Sequence, residues 1–241
     1  MPEPVAFYPL NARYKAAEKE NRQPKGILSN VGITNGPYNE PGGAYMFYGT
    51  ISSYIEIPNR EGLDPQLSIT LMCWVQPGGQ DGSLFLIESS LSLEIDRGNF
   101  VNRMVMRTKS SEWLATITTG GVLPAGKWVH VAASYDASSG NNSLYINGRL
   151  RASRNIGRTR FRKSIALQRV YMGGASSFNK YFKGKIAEMK VYDVALNEAQ
   201  IQTSMRQGSR IFFPKSFSHY FLWCFLLLII FPLLNNFARG R

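Results

Sequence analysis

A chain of 241 residues that is 44% hydrophobic, 12% aromatic and only 18% charged can bury a sizeable core, which excludes intrinsic disorder for most of its length. The length suits one all-β domain or two small domains. Twenty-eight Lys and Arg against sixteen Asp and Glu leave a formal charge of +12, which favours acidic partners such as sulfated glycans, phosphates or anionic lipid.

In chain order, Met1-Pro2-Glu3-Pro4 has neither a basic n-region nor an apolar h-region, so no secretory signal is visible. Either the module is intracellular or the chain is a piece of a longer protein whose signal lies upstream, and the second fits the rest better. Short strand-like runs broken by turn residues then dominate, the pattern of a sandwich. They are Val5–Leu10, Ala44–Phe47, Tyr54–Ile57, Ser68–Val75, Leu84–Glu88, Leu91–Ile95, Met104–Thr108, Leu114–Ile117, Trp128–Tyr135, Ser143–Ile146, Val170–Met172 and Ile186–Tyr192. Within Ser68–Val75, Ile69, Leu71, Cys73 and Val75 share one face, and Thr70, Met72 and Trp74 share the other. Both faces are fairly apolar, which places this strand inside a sheet rather than at its edge. Asp136–Asn142 reads as a polar loop, and Asn147-Gly148 as the type I′ turn of a hairpin.

One short helix is predicted near the C-terminal end. Asn197 and Gln200 have capping-box spacing, Leu196 and Ile201 have staple spacing, and Gly208 is the stop. Composition shifts after Gln207, so residues 1–207 are assigned to one domain and 208–241 to a hydrophobic tail. Phe217–Leu234 is 18 residues without Lys, Arg, Asp or Glu, the lower limit for a transmembrane helix. Pro232 and His219 interrupt it, and its flanking charges are too balanced to orient it. Two readings stand: a single membrane-anchoring span, or an extension foreign to the fold.

Several segments together resemble a known family. They are FYPLN near the start, SSYIEIP at Ser52–Pro58, ITLMCWVQP at Ile69–Pro77, GKWVHVAASYDASSGNNSLYINGRL at Gly126–Leu150 and GKIAEMKVYDVALNEAQI at Gly184–Ile201. In this order they resemble the laminin-G-like and pentraxin-like branch of the concanavalin-A-like lectin/glucanase superfamily. The resemblance implies an all-β, two-sheet antiparallel jelly-roll sandwich. Such a fold hosts lectins, adhesion modules, hormone-binding domains and glycosidases, so it does not by itself assign a function. The pentraxin disulfide implied by the family is missing, because Ala132 stands about where the partner of Cys73 would be; Cys73 and Cys224 are both read as free. The pentraxin calcium loop is also unmatched, since Gly173-Gly174-Ala175-Ser176-Ser177 has no carboxylate to ligate a hard cation. No cofactor is expected, and a laminin-G-type calcium site built from scattered Asp and backbone carbonyls stays open.

Glu94 and Asp96 match the first two carboxylates of the Glu-x-Asp-x-x-Glu or Glu-x-Asp-x-Glu pattern of β-glucan-cleaving relatives. Gly98 or Asn99 stands where the third would be, so the general acid is absent and no catalytic residue is expected. His130 is read as a packed strand residue and not as a metal ligand, for no cluster at ligand spacing accompanies it. Trp74 and Trp128 are read as core. Trp113 is read as satellite core, with surface sugar stacking as the alternative.

The run Arg149–Arg169 holds Arg149, Arg151, Arg154, Arg158, Arg160, Arg162, Lys163 and Arg169 with no acid between them. Clustered guanidinium forks suit sulfate and carboxylate groups, and a solvated charged rim is the plainer alternative. Nucleic-acid recognition motifs are missing. Asn141-Asn142-Ser143 is a glycosylation sequon. The function expected is an extracellular or cell-surface recognition or adhesion module for glycans, including sulfated ones, or for glycosylated and matrix proteins. A ligand-free structural spacer is the alternative, and a degenerate glycoside hydrolase is third.

Overall fold

The long strand β6 (Ile69–Gln80) sets the architecture, because its alternation gives it two apolar faces. Ile69, Leu71, Cys73 and Val75 join the main core, while Met72 belongs to a second cluster on the opposite face. A computed structural model describes residues 1–58, 63, 67–87, 91–107, 112–158, 160–161, 169–174 and 181–208. Within it, β6 lies between β11 (Val129–Asp136) and β16 (Lys183–Tyr192), both antiparallel to it. It is therefore interior, as its pattern requires.

Two antiparallel sheets of eight strands each form a sandwich. The first runs β13 (Arg149–Asn155), β12 (Asn141–Ile146), β11, β6, β16, β4 (Ala44–Tyr48) and β3 (Val31–Thr34). Strand β1 (Ala6–Tyr8) also pairs with β16, beyond the point where β4 ends. The second runs β10 (Glu112–Val122), β9 (Asn99–Arg107), β8 (Leu91–Asp96), β7 (Gly82–Ile87), β15 (Val170–Met172), β5 (Tyr54–Ile57) and β2 (Ile27–Ser29). The short β14 (Arg160–Phe161) pairs with β9.

The core fills the space between the sheets. Tyr8, Phe47, Leu71, Val131 and Tyr135 come from the first sheet, and Phe85, Leu93, Phe100 and Met172 from the second. Each large side chain removed from water contributes roughly 1.5–3 kcal/mol, so this layer dominates the stability. Residues Met1–Met205 form one compact unit.

Helix α1 (Glu198–Gly208) starts as its sequence predicts. The Gln200 amide donates to Asn197 Oδ1 at 3.0 Å, and the Asn197 amide donates back to Gln200 Oε1 at 2.9 Å. Leu196 and Ile201 bury together with Met72, Ala132, Tyr145 and Tyr192 on the outer face of the first sheet. Asn147 and Gly148 both take positive φ, 51° and 72°, as a type I′ turn requires. Gly173 follows β15 at φ 84° with Phe47 packed against it, so a side chain has no room there.

Cys73 is buried and free. Trp74 and Trp128 are half-buried and stand outside the clusters of buried residues. For Trp74 the cause is alternation, which turns it to the outer face of the sheet. Among the described residues no helix is long and apolar enough to cross a membrane. The Phe217–Leu234 segment lies outside them.

Candidate functional site

Strand β13 ends the first sheet, and Arg149, Leu150, Arg151, Ser153, Arg154 and Asn155 are exposed along it. Its inner pairing with β12 puts Ala152 against the core and leaves the charges at the rim. A register shift lies between the Tyr145–Leu150 and Leu144–Ala152 pairs, so Arg151 is the extra residue of a bulge. The strict alternation that would set Arg149 and Arg151 on one face is interrupted there. Arg158 continues the exposed series three residues past the strand. None of Arg149, Arg151, Arg154 and Arg158 has a carboxylate partner among the described residues.

The rest of the basic run goes elsewhere. Arg160 lies in β14, beside β9 of the second sheet. Arg169 precedes β15 and is spent on Glu56, 3.6 Å from its Oε1. Arg162 and Lys163 lie outside the described residues. The fold thus brings four of the eight cations onto one strip. Asn141 is exposed at the first position of β12 rather than in the preceding loop, and its Oδ1 accepts from Asn155 Nδ2 at 3.1 Å. Chemically, the strip offers exposed guanidinium forks, and the acid beside them is Glu198, whose Oε2 accepts from the Leu150 amide at 3.0 Å.

Glu94 and Asp96 lie on the outer face of the second sheet, since Leu91, Leu93 and Ile95 of the same strand enter the core. Arg103 of β9 binds both: its Nε donates to Glu94 Oε1 at 2.7 Å, and its Nη2 donates to Asp96 Oδ2. Ser92 Oγ adds a 2.8 Å hydrogen bond to Glu94 Oε1. The chain then reverses at Arg97-Gly98, both at positive φ, where Asp81 accepts from both backbone amides. A third carboxylate on the same strand face has no place, because the strand ends two residues after Glu94.

A second polar group, hidden from the sequence, sits on the outer face of the first sheet. His130, Trp74 and Ala187 are lateral neighbours on β11, β6 and β16. The His130 and Trp74 rings meet edge to face at 5.3 Å, and Tyr38, from the loop between β3 and β4, meets Trp74 at 5.6 Å. Glu188 follows in a β-bulge at φ 51° and is buried. Its Oε1, Glu40 Oε1, Trp74 Nε1 and His130 Nδ1 are buried without hydrogen-bond partners. Burial, with a smaller push from Glu40, raises the Glu188 carboxyl to about 7 against the pull of Lys190. Burial also lowers the Lys190 ammonium, whose Nζ donates to the Ser204 carbonyl at 2.7 Å. Burial and then Lys190 lower His130 to about 3, so it is a neutral, packed side chain near neutral pH.

Sequence reading placed His130 and Trp74 in strands but missed Tyr38, Glu40, Glu188 and Lys190. No local signal unites them, because they are joined by strand register alone. Among the described residues no group of three or more His, Cys, Asp or Glu converges to hold a metal. The Trp113 side chain lies outside the described ones.

Two packed antiparallel sheets of this strand order form a sandwich of the jelly-roll type. A family model described as the concanavalin A-like lectin/glucanases superfamily, Laminin_G_3, matches residues 49–202, more than half of the chain. The chain belongs to this superfamily. Among solved structures it is similar to domain 4 of AbnA, an extracellular arabinanase from Geobacillus stearothermophilus in complex with arabinotriose. There the TM-score is 0.59 at 20% identity, covering 83% of this chain and 97% of that one. The botulinum neurotoxin serotype G binding domain gives a TM-score of 0.64 at 12% identity, covering 83% of this chain and 50% of that one. The binding domain of Paraclostridial Mosquitocidal Protein 1 gives 0.59 at 17% identity, covering 76% and 47% respectively. This chain thus spans about half the length of the two toxin domains. These likenesses concern the fold. No curated protein matches the chain.

Proposed function

We propose that this domain is a non-catalytic recognition module for carbohydrate, and that the β13 edge binds anionic, sulfated glycans. The observation that carries the reading is the strip Arg149, Arg151, Arg154 and Arg158, exposed and without acidic partners among the described residues. Guanidinium forks pair well with sulfate and carboxylate oxygens, and four on one strip multiply the attraction. The similar folds support it: two are binding domains, and one is a domain described in complex with arabinotriose. Arg103 supports the non-catalytic part, because it ties up the Glu94 and Asp96 carboxylates that a glucanase would need. Laminin-G-like and lectin-like domains usually work outside the cell, which supports the same place for this one.

The test is salt elution from heparin resin. Replacing Arg149, Arg151, Arg154 and Arg158 with Ser is expected to lower the eluting salt clearly, because fewer counterions are released on binding. Generic charge loss is controlled by replacing the exposed Arg13, Lys15, Lys25 and Lys127 with Ser in a second variant. Equal shifts in the two variants would mean that the protein is merely basic and would sink the site.

A further inference from the structure

The Asn35–Gly43 segment joins β3 to β4 and lies over Trp74 through Tyr38. Its fold is closed by its own backbone, with Gly36 donating to the Glu40 carbonyl at 3.0 Å and Gly43 to the same carbonyl at 3.2 Å. Glu40 Oε2 accepts from the Tyr38 amide at 2.8 Å, which leaves Oε1 tucked between Gly36 and Gly43, buried and without a partner. Glu188 supplies a second buried, partnerless carboxyl oxygen within electrostatic reach of Glu40. Its backbone is held at positive φ, a conformation that non-glycine residues adopt at a cost. A buried carboxyl set in a strained bulge, and a second partnerless carboxyl oxygen tucked into a short loop, are the two parts of a switch.

We propose that Glu188 and Glu40 form a proton-controlled latch that holds the Asn35–Gly43 loop down over Trp74. With a proton on Glu188, the neutral acid tolerates burial beside the Glu40 carboxylate and can donate to it. Without that proton, the Glu188 carboxylate is left buried, without a partner for its Oε1 and in the field of Glu40. The loop then lifts to let water reach it, uncovering the Trp74 ring.

The surroundings favour this reading. Lys190 is the cation nearest by sequence on β16, but its ammonium is committed to the Ser204 carbonyl and hydroxyl and lies 5.1 Å from the Phe7 ring centroid. Lys19 opposes charge on Lys190 from the chain following β1. His130 packs on the indole from the β11 side and stays neutral. Tyr38 is carried by the loop itself. The sign follows from proton linkage. The closed state holds the Glu188 proton up to about 7, whereas a solvated carboxyl gives it up near its ordinary 4.5. Opening is therefore promoted as pH rises through that window and levels off above it.

Hydrogen exchange of the full chain, corrected for the intrinsic pH dependence of exchange, tests the latch. Protection of the Gly36–Gly43 amides should fall by up to about tenfold per pH unit between about pH 5 and 7, then level off, while β11 amides stay protected. In Glu188→Gln the loop's protection should be flat with pH. A flat wild-type profile, or a slope that survives in Glu188→Gln, would overturn the proposal. Should that variant fail to fold, Glu40→Gln serves, because it keeps an acceptor for the Tyr38 amide but removes the charge. Burial still raises Glu188 in that variant, so loop protection should level off at lower pH than in the wild type, and an unmoved plateau would overturn the proposal. The heparin result bears on neither outcome, since β13 lies at the edge of the sheet.

Discussion

The outer faces of the two sheets each bury a glutamate, and the two are treated in opposite ways. Glu94 is 2% exposed and receives a guanidinium and a hydroxyl; Glu188 is 3% exposed, and its Oε1 receives nothing. The nearby cation explains the difference. Arg103 stands on the neighbouring strand with a fork that spans two carboxylates, whereas Lys190 has a point charge already committed to Ser204. Equal burial thus yields an ion-paired, hydrogen-bonded acid on one sheet and a titrating acid on the other. The identity and commitments of the counter-ion decide which.

The largest test of this contrast is pH. His130 is lowered to about 3, so the unfolded chain binds its proton first as pH falls from 6.5, and stability drops through that window. Glu188 is raised to about 7, so its contribution is present below 4.5 and is lost as pH rises toward 7. The two oppose each other between 4.5 and 6.5. The His130 loss alone is on the order of 4 kcal/mol by pH 3. Urea midpoints across pH 3–8 should show an acid limb that shrinks in His130→Gln, leaving the Glu188 decline exposed. An unchanged acid limb in that variant would refute the assignment.

Next in size is the removal of each cation. Arg103→Met should cost about 3 kcal/mol, because it removes the partner of the buried Glu94. Lys190→Met should cost clearly less at pH 5, where Glu188 is protonated, and more at pH 8, where it is not. Urea unfolding at the two pH values checks this, and equal costs for Lys190→Met would remove the distinction between the two glutamates. Smallest is Ser92→Ala, which deletes one of Glu94's hydrogen bonds and should cost about 1 kcal/mol by the same measurement.

The same contrast shows which parts of the fold were legible in the sequence. Tyr54–Ile57 and Val170–Met172 match β5 and β15 at both ends, since hydrophobic alternation bounded by turn residues is a local signal. The Asn197–Gln200 cap and the Asn147-Gly148 turn are local too, and both formed as read. By contrast, β2 and β3 are only three and four residues long, with mixed burial, and carry no periodicity to detect. The reversal at Arg97-Gly98 uses an arginine at positive φ, which no turn preference flags, so the start of β9 was set five residues late. The basic strip was half legible. Charge clustering gave its members, but a sheet edge and a bulge decide which arginines stand together. The Trp74–Glu188 group was illegible, because residues 38, 40, 74, 130, 188 and 190 meet only once strand register is fixed.

Cys73 has a consequence beyond packing. Its sulfur sits in the main core with no exposure, and burial pushes the thiol well above its ordinary range. The thiolate is the form that exchanges disulfides or takes up oxidants, so this sulfur is chemically silent while the sandwich stays closed. The core consequently needs no redox partner to hold together, and oxidising or reducing surroundings leave it the same. Once the sheets part, the first new reactivity in the core is that of a single thiol, which makes mixed disulfides at Cys73 a mark of molecules that have opened.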